Sequence, residues 1–424
     1  MKKEILGINE ENFTVKISYI FIFFFPIILL LGSAVINISI IIMNIFFLIH
    51  IFGKKNFKIF DNDIFYLLCS LWAFLIINTL LNSNFTENYS RSFGFIRFII
   101  LIFLFSYFLS YKNSQFKKVI FNFWTIIFII ISLDLFFEYI FGYNTLGFKN
   151  TYDGRLSGFM NDELKIGHWY FCFSLIVLSN SLSLPKRFYS ILFLSMIISF
   201  MIGERANFIR LFIAIIFLLI IVKHINFKNI AILILSMSVI FILLNTSSKY
   251  GVAEIKSRYY SEFKSLSNSD TLEEFNNNNS YTPMFLNAYI LFKENKLLGV
   301  GLGSYYQKSH ETKNKYRKDV NVAKINGYKI IANTHPHQYH FEILALLGLP
   351  GYIFIFSFLL FFFFKSLSFY KTNKNVINLS SFLMIFVFCL PLLPTGSFFT
   401  TYGATMFWLN FSLMNLGNFK NINY

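Results

Sequence analysis

The sequence predicts an all-α polytopic membrane protein of about twelve transmembrane helices with one large outer loop between helices nine and ten. Three observations lead there. Of the 424 residues, 56% are hydrophobic and only 14% are charged, whereas a soluble domain carries roughly 25% charged residues. The apolar residues gather into runs of spanning length. The basic residues collect in alternate loops.

A spanning helix needs roughly 20 mostly apolar residues. Runs of that kind lie near 17–31, 34–51, 64–81, 93–110, 119–142, 167–182, 187–202, 205–222, 229–245, 341–364, 376–393 and 398–416. The first two form a hairpin around Gly32-Ser33. Because a second run follows the first at once, the start lacks the pattern of a cleavable signal peptide. The chain divides into residues 1–245 with nine spans, an outer loop at 246–340 with short helices, and residues 341–424 with three spans.

An even number of spans places both termini on one side. Loops on that side carry Lys54, Lys55, Lys58, Lys112, Lys117, Lys118, Lys186, Arg187, Lys223, Lys228, Lys365, Lys371 and Lys374, against Asp61 and Asp63. This is the positive-inside pattern, which puts both termini in the cytoplasm. The net charge of +16 is then a matter of topology. Cations scattered over many short loops do not make a nucleic-acid surface. Cys69, Cys172 and Cys389 all fall within apolar runs. Without a CxxC spacing they support neither a disulfide framework nor a thiolate metal site.

In the outer loop, NNNN at 276–279 reads as a flexible turn. MFLNAYILFKENK at 284–296 is amphipathic at helical spacing, suited to lying on the membrane surface. GVGLG at 299–303 has neither the lysine nor the strand–helix setting of a phosphate loop. It reads instead as a turn that lets the backbone approach another helix.

NTHPHQYHFEILALLGLPG, from Asn333, places His335, His337 and His340 ahead of span ten. Pro336 suits a first helical turn, with Thr334 or His335 as the cap, so the helix is expected to start there. His337 and His340 would then share a face. A helix N-terminus disfavours imidazolium, leaving a neutral histidine able to accept a proton near pH 7. The plain alternative is an amphipathic residue with one wet edge. A metal site lacks a carboxylate in position, since Glu342 is rotated off the face of His337.

GERANFIR at 203–210 sets Arg205 at the outer start of span eight and Arg210 deeper. An intramembrane arginine marks a functional site or a buried pair, and guanidinium is suited to bidentate phosphate contact. Arg205 could instead snorkel or pair with Glu204. Arg210 reads as structural, paired with Asp134 or Glu138, which lie four residues apart on one face of span five. Arg97 is a further buried-cation candidate. Arg258, in AEIKSRYYSEF after span nine, falls on the same membrane face as Arg205 and the histidines.

Four separated stretches resemble, in order, the O-antigen ligase and polymerase family. They are LDLFFEYIFGYNTLGFKNTYDGRLSGFMNDELKIG at 133–167, GERA at 203–206, KLLGVGLGSY at 296–305 and HQYHFEILALLGLPG at 337–351. The resemblance covers about residues 60–415. It implies a GT-C-like membrane glycosyltransferase of the bacterial inner membrane with its site facing the periplasm. The implied donor is a polysaccharide or repeat unit on undecaprenyl pyrophosphate. The implied acceptor is lipid A core for a ligase, or another glycan for a polymerase. It implies metal-independent transfer without a cofactor, with His337 acting on the acceptor hydroxyl and Arg205 and Arg258 holding the pyrophosphate. Gln338, Arg155, His335, His340 and Arg210 are secondary candidates. The chain departs from the family at NSYTPMFLNAY, where many members carry a further arginine.

The function expected is therefore inverting transfer to a sugar hydroxyl, as O-antigen ligation to lipid A core or as repeat-unit polymerisation. A transporter of lipid-linked oligosaccharide would share the spans and buried arginines, but would need neither His337 nor so large an outer loop.

Overall fold

In the computed structural model every described residue lies outside 1–12, 83–88, 112–113, 150–151, 153, 162, 225, 246–258, 261–266, 268, 318–322, 392 and 418–424. Each apolar run is occupied by a helix. In chain order these are α1 (Phe13–Ile28), α2 (Ser33–Gly53), α3 (Asp63–Asn82), a short α4 (Tyr89–Phe93) leading into α5 (Ile96–Tyr111), α6 (Ser114–Phe141), α7 (Ile166–Ser181), α8 (Pro185–Met201), α9 (Arg205–Ile221) and α10 (Phe227–Asn245). After a long loop come α14 (Tyr339–Asn373), α15 (Val376–Phe388) and α16 (Thr401–Met414). The loop itself holds α11 (Leu272–Asn278), α12 (Thr282–Glu294), α13 (Tyr305–Lys315) and a hairpin of β1 (Ala323–Ile325) and β2 (Tyr328–Ile330). Among the described residues, five helices are long and apolar enough to cross a membrane.

The bundle gathers around α7, which packs against α6, α8, α9 and α15 and is buried along nearly its whole length. In such surroundings every backbone polar group needs a partner within the protein. Pro26 inside α1 shows how this is met. Its ring has no N–H to give the carbonyl four residues back. That carbonyl, on Ile22, instead accepts from the Trp124 indole at 3.1 Å. Trp169 donates to the carbonyl of Pro26 itself at 2.8 Å.

The same accounting explains how the outer loop is joined to the bundle. Within α14, Gly348 adopts φ 66°, ψ −169°, a kink only glycine tolerates. Pro350 supplies no N–H, and the orphaned carbonyl of Leu346 accepts from Gly301 N–H at 2.9 Å. Leu349 N–H turns away to the Lys296 carbonyl at 2.8 Å, and Val300 N–H takes the carbonyl of Ala345 at 2.8 Å. GVGLG is thus a turn laid against α14, as its composition predicts. A Cβ on Gly299 would meet the Leu346 backbone at 2.3 Å, and one on Gly348 would meet the Leu297 carbonyl at 2.5 Å.

Two expectations for the loop change. The amphipathic helix is present as α12, but Phe285, Ala288 and Leu291 are buried in the protein and Phe285 stacks on Phe341 of α14 at 5.1 Å. Its apolar face is therefore satisfied by α14. The asparagine run is no slack turn. Asn276 to Asn278 close α11, and Asn277 both accepts from Lys329 N–H and donates to the Gly327 carbonyl, pinning the hairpin.

Gly348→Ala should lower the melting temperature of the purified full chain in detergent by several degrees, since a Cβ in this conformation costs about 1–3 kcal/mol of backbone strain before its clash with Leu297 is counted. Melting identical to wild type would show that the kink does not hold the loop.

Candidate active site

The histidine motif folds differently from the sequence expectation, and the difference makes the site. Helix α14 begins at Tyr339, three residues later than Pro336 suggests. Gln338 is the cap, its Oε1 accepting from the N–H of His340 at 2.6 Å and of Phe341 at 3.3 Å. An amide oxygen that meets two of the free N–H groups of a first turn outcompetes the cap offered by Thr334 or His335. His337 is left just outside the helix in a left-handed conformation, φ 56°. Its carbonyl accepts from Thr395 N–H at 2.6 Å.

His337 and His340 therefore do not share a face. His340 Nε2 donates to the Cys389 carbonyl at 2.8 Å, its Nδ1 meets the Tyr352 hydroxyl at 2.9 Å, and its ring stacks on Phe356 at 4.4 Å. Both ring nitrogens are committed, and His340 is a packing residue. His335 instead lies beside His337, ring centroids 4.0 Å apart. Burial first, then the neighbouring His337, His168 and Arg91, push the His335 imidazole down to about 3. Burial also lowers His337 from its ordinary 6.5; a hydrogen bond with the Thr395 backbone opposes this and the Arg155 guanidinium adds to it. Both imidazoles are neutral at pH 7.

These two histidines line a cavity of about 880 Å³. Arg91, Arg155, Lys165 and Arg205 also line it, and among the described lining residues Glu204 is the sole carboxylate. Arg155 is paired with Glu204 and Lys165 with Glu163, so the lining keeps a surplus of positive charge, which suits an anionic group. Gly203, φ 76°, permits the arrangement. A Cβ there would meet the Gly154 carbonyl at 2.0 Å, so only glycine lets the 154–155 segment lie against the start of α9. Arg155 Nη2 then reaches Glu204 Oε1 at 2.8 Å. Arg205, the first residue of α9, is half-buried at the cavity wall.

Asp134 and Glu138 do not pair with Arg210. Asp134 accepts from Thr145 N–H at 2.9 Å, and Glu138 from Gly158 N–H at 2.7 Å and Ser157 N–H at 3.1 Å. Together they brace the loop that delivers Arg155. Arg210 is fully buried and gives its protons to neutral oxygens. Nη1 donates to Asn207 Oδ1 at 3.1 Å, and Nη2 to the carbonyl of Leu393 at 3.0 Å and to that of Pro394. Arg97 is likewise structural, donating to the Gly94 carbonyl at 2.9 Å. Arg258 lies outside the described residues.

The segment from Leu393 to Phe398, between α15 and α16, is held at several of its polar backbone atoms. Arg210 holds two carbonyls. His168 Nε2 accepts from Gly396 N–H at 3.1 Å. Glu342 accepts from Phe398 N–H at 2.8 Å and from the Ser397 hydroxyl. Thr395 N–H, fixed by this frame, in turn fixes His337. Asn207 completes the frame by donating to Glu204 Oε2, so that Arg210 and the Arg155–Glu204 ion pair share one amide.

Arg91, His168 and Asn207 are site residues that sequence reasoning missed. A signal was present for two of them. His168 opens α7 and Arg91 precedes α5, polar groups at the ends of apolar runs like those singled out at His337 and Arg205. Among the described residues no three His, Cys, Asp or Glu side chains are grouped to hold a metal ion.

Residues 188–356 match the family model described as O-antigen ligase, Wzy_C. The match supports an assignment to the O-antigen ligase and polymerase family, as the four stretches suggest. It runs from α8 into the first part of α14 and so includes Glu204, Arg205, the described outer loop and His337. No curated protein matches the chain. The apolar helices and this family together identify a membrane protein.

Arg210→Ala should melt well below wild type, because each buried carbonyl left without a donor costs about 1–3 kcal/mol. Arg205→Ala, at the half-exposed cavity wall, should melt close to wild type. Equal melting of both variants would remove the structural distinction between them.

Proposed function

We propose that this membrane enzyme transfers a polysaccharide or repeat unit from undecaprenyl pyrophosphate to an acceptor sugar hydroxyl, most directly as O-antigen ligation to lipid A core. The observation that carries the reading is one cavity in which a neutral histidine, His337, faces a wall of guanidinium groups, within a chain of the O-antigen ligase family. All twelve apolar helices are read as spans. The lysine-rich loops lie in the cytoplasm with both termini, and the cavity opens to the periplasm of the inner membrane.

The chemistry follows from the residues. Asn333 Oδ1 accepts from Thr334 N–H at 2.8 Å, so its amide nitrogen is the atom that meets His337 Nε2 at 3.2 Å. Nε2 therefore carries the lone pair, and an acceptor hydroxyl would take the place of Asn333 there. The hydroxyl oxygen attacks the anomeric carbon, the bond from that carbon to the pyrophosphate oxygen breaks with its electrons leaving on the pyrophosphate, and the hydroxyl proton passes to Nε2. General-base help of this kind is worth roughly 10²–10⁴-fold. Arg155, Arg205 and Arg91 stabilise the departing charge. No side chain need bond to the sugar, so the step is a single displacement with inversion, independent of metal and cofactor. Arg258 retains its proposed place as a further pyrophosphate contact. A polymerase would run the same step with a growing glycan as acceptor.

In a reconstituted transfer assay with lipid-linked glycan from the parent strain, His337→Ala should lose at least about 10²-fold in rate while keeping its melting temperature. Wild-type turnover would remove His337 as the base. Arg205→Lys should also fall markedly, since an ammonium cannot replace a planar two-pronged donor. The pH profile carries a sign. His337 works in its neutral form and burial lowers its proton affinity, so the rate should hold through neutral pH and fall only below the ordinary imidazole value of 6.5. A rate that rises on acidification would contradict a basic role.

A further inference from the structure

The cavity has two unlike walls. The cations described above belong to the bundle and to the 152–165 segment. Another part of the lining belongs to the long loop, where the stretch from α11 into α12 presents Phe275, Tyr281 and Phe285 together with Asn279 and Thr282. His337 lines the same cavity and touches this aromatic wall. Its ring meets Tyr281 edge-on at 5.8 Å, and Tyr281 in turn lies nearly parallel to Phe285 at 6.4 Å and 22°. The Tyr281 backbone is pinned, because Asn279 Oδ1 accepts from its N–H at 2.8 Å and from that of Thr282 at 3.1 Å.

We propose that this aromatic and amide wall, centred on Tyr281, is the subsite for the acceptor sugar, and that it sets which acceptor is used. The inference rests on the transfer reading and names where its second substrate sits. A pyranose has a flat face of C–H groups and a rim of hydroxyls. An aromatic ring bordered by hydroxyl and amide groups matches both, the ring against the C–H face and the polar groups against the rim. A polyprenyl chain would be served by a wall without Asn279, Thr282 and Thr334. That chain also belongs among the apolar helices, whereas the Tyr281 segment lies in the loop outside every apolar run. Pyrophosphate is drawn to the cationic wall. What remains for the aromatic wall is the substrate whose hydroxyl must reach His337, and the 5.8 Å contact sets a ring stacked on Tyr281 beside that imidazole.

The test measures donor and acceptor dependence separately in the full-length protein in detergent or lipid. The donor is lipid-linked glycan extracted from the parent strain and the acceptor is its deacylated core oligosaccharide. Tyr281→Leu, which keeps bulk and loses the ring, should raise the acceptor KM about tenfold and leave the donor KM within about twofold. Tyr281→Phe should stay near wild type. A rise in the donor KM alone, or no change in either, overturns the subsite. Tyr281→Trp gives a second readout that does not depend on the leucine variant folding: its emission should shift on adding core oligosaccharide and not on adding donor. The absence of an acceptor-dependent shift also overturns the subsite. If wild type transfers nothing from the lipid-linked donor, the transfer reading itself fails and the subsite with it. That result is distinct from a wild type that transfers normally while the Tyr281 variants keep their acceptor KM.

Discussion

Arg210 is the group on which the site depends. A guanidinium at full burial is costly unless its terminal nitrogens meet oxygens in the right places. Here the oxygens are the Asn207 amide and two backbone carbonyls of the segment between α15 and α16. The requirement runs both ways: the segment is held in this shape by Arg210, His168 and Glu342, and the buried Arg210 and Glu342 find oxygens and N–H groups on it. Thr395 hands the order on to His337, holding that residue in a left-handed conformation where it cannot join α14. The histidine is presented to the cavity because the helix behind it is capped by Gln338 instead of running through it.

A second constraint joins the halves of the cavity. Glycine and proline in GLPG free backbone groups of α14 that the GVGLG turn then occupies, so the outer loop is fastened to the same helix whose first turn bears the histidine motif. The aromatic wall and the cationic wall are therefore placed relative to His337 by hydrogen bonds to backbone, which vary little with side-chain rotamer. For the proposed transfer this is a useful property, since donor and acceptor would have to meet beside one imidazole.

The apolar runs were legible because a spanning helix is written in composition over roughly 20 residues, and each run holds a helix. Part of the cavity lining was legible from residues costly at their position, His337, His335 and Arg205, which the structure brings into one cavity. The misreadings share a cause. Pro336 gave a helix start because proline favours a first turn, yet a side-chain oxygen at Gln338 competed for the same N–H groups and won. Arg210 was matched with Asp134 or Glu138 because a buried cation suggests a carboxylate, yet backbone carbonyls of the segment between α15 and α16 can serve as well. Those two carboxylates brace the loop of Arg155, a role that depends on contacts far apart in sequence. His168, Arg91 and Asn207 come from three separate helices, and nothing local to any of them shows that they converge. The division of the chain at 245 and 340 remains part of the proposal.

The central claim is that the cavity performs chemistry on a lipid-linked glycan. The most direct measurement is the lipopolysaccharide profile of a strain deleted for this chain, read together with its undecaprenyl-linked glycans. The account predicts that the ladder is lost while lipid-linked polymer accumulates if the acceptor is lipid A core, or that the core carries a single repeat if the acceptor is another glycan. An unchanged profile, with lipid-linked glycans of unchanged length and amount, would contradict it.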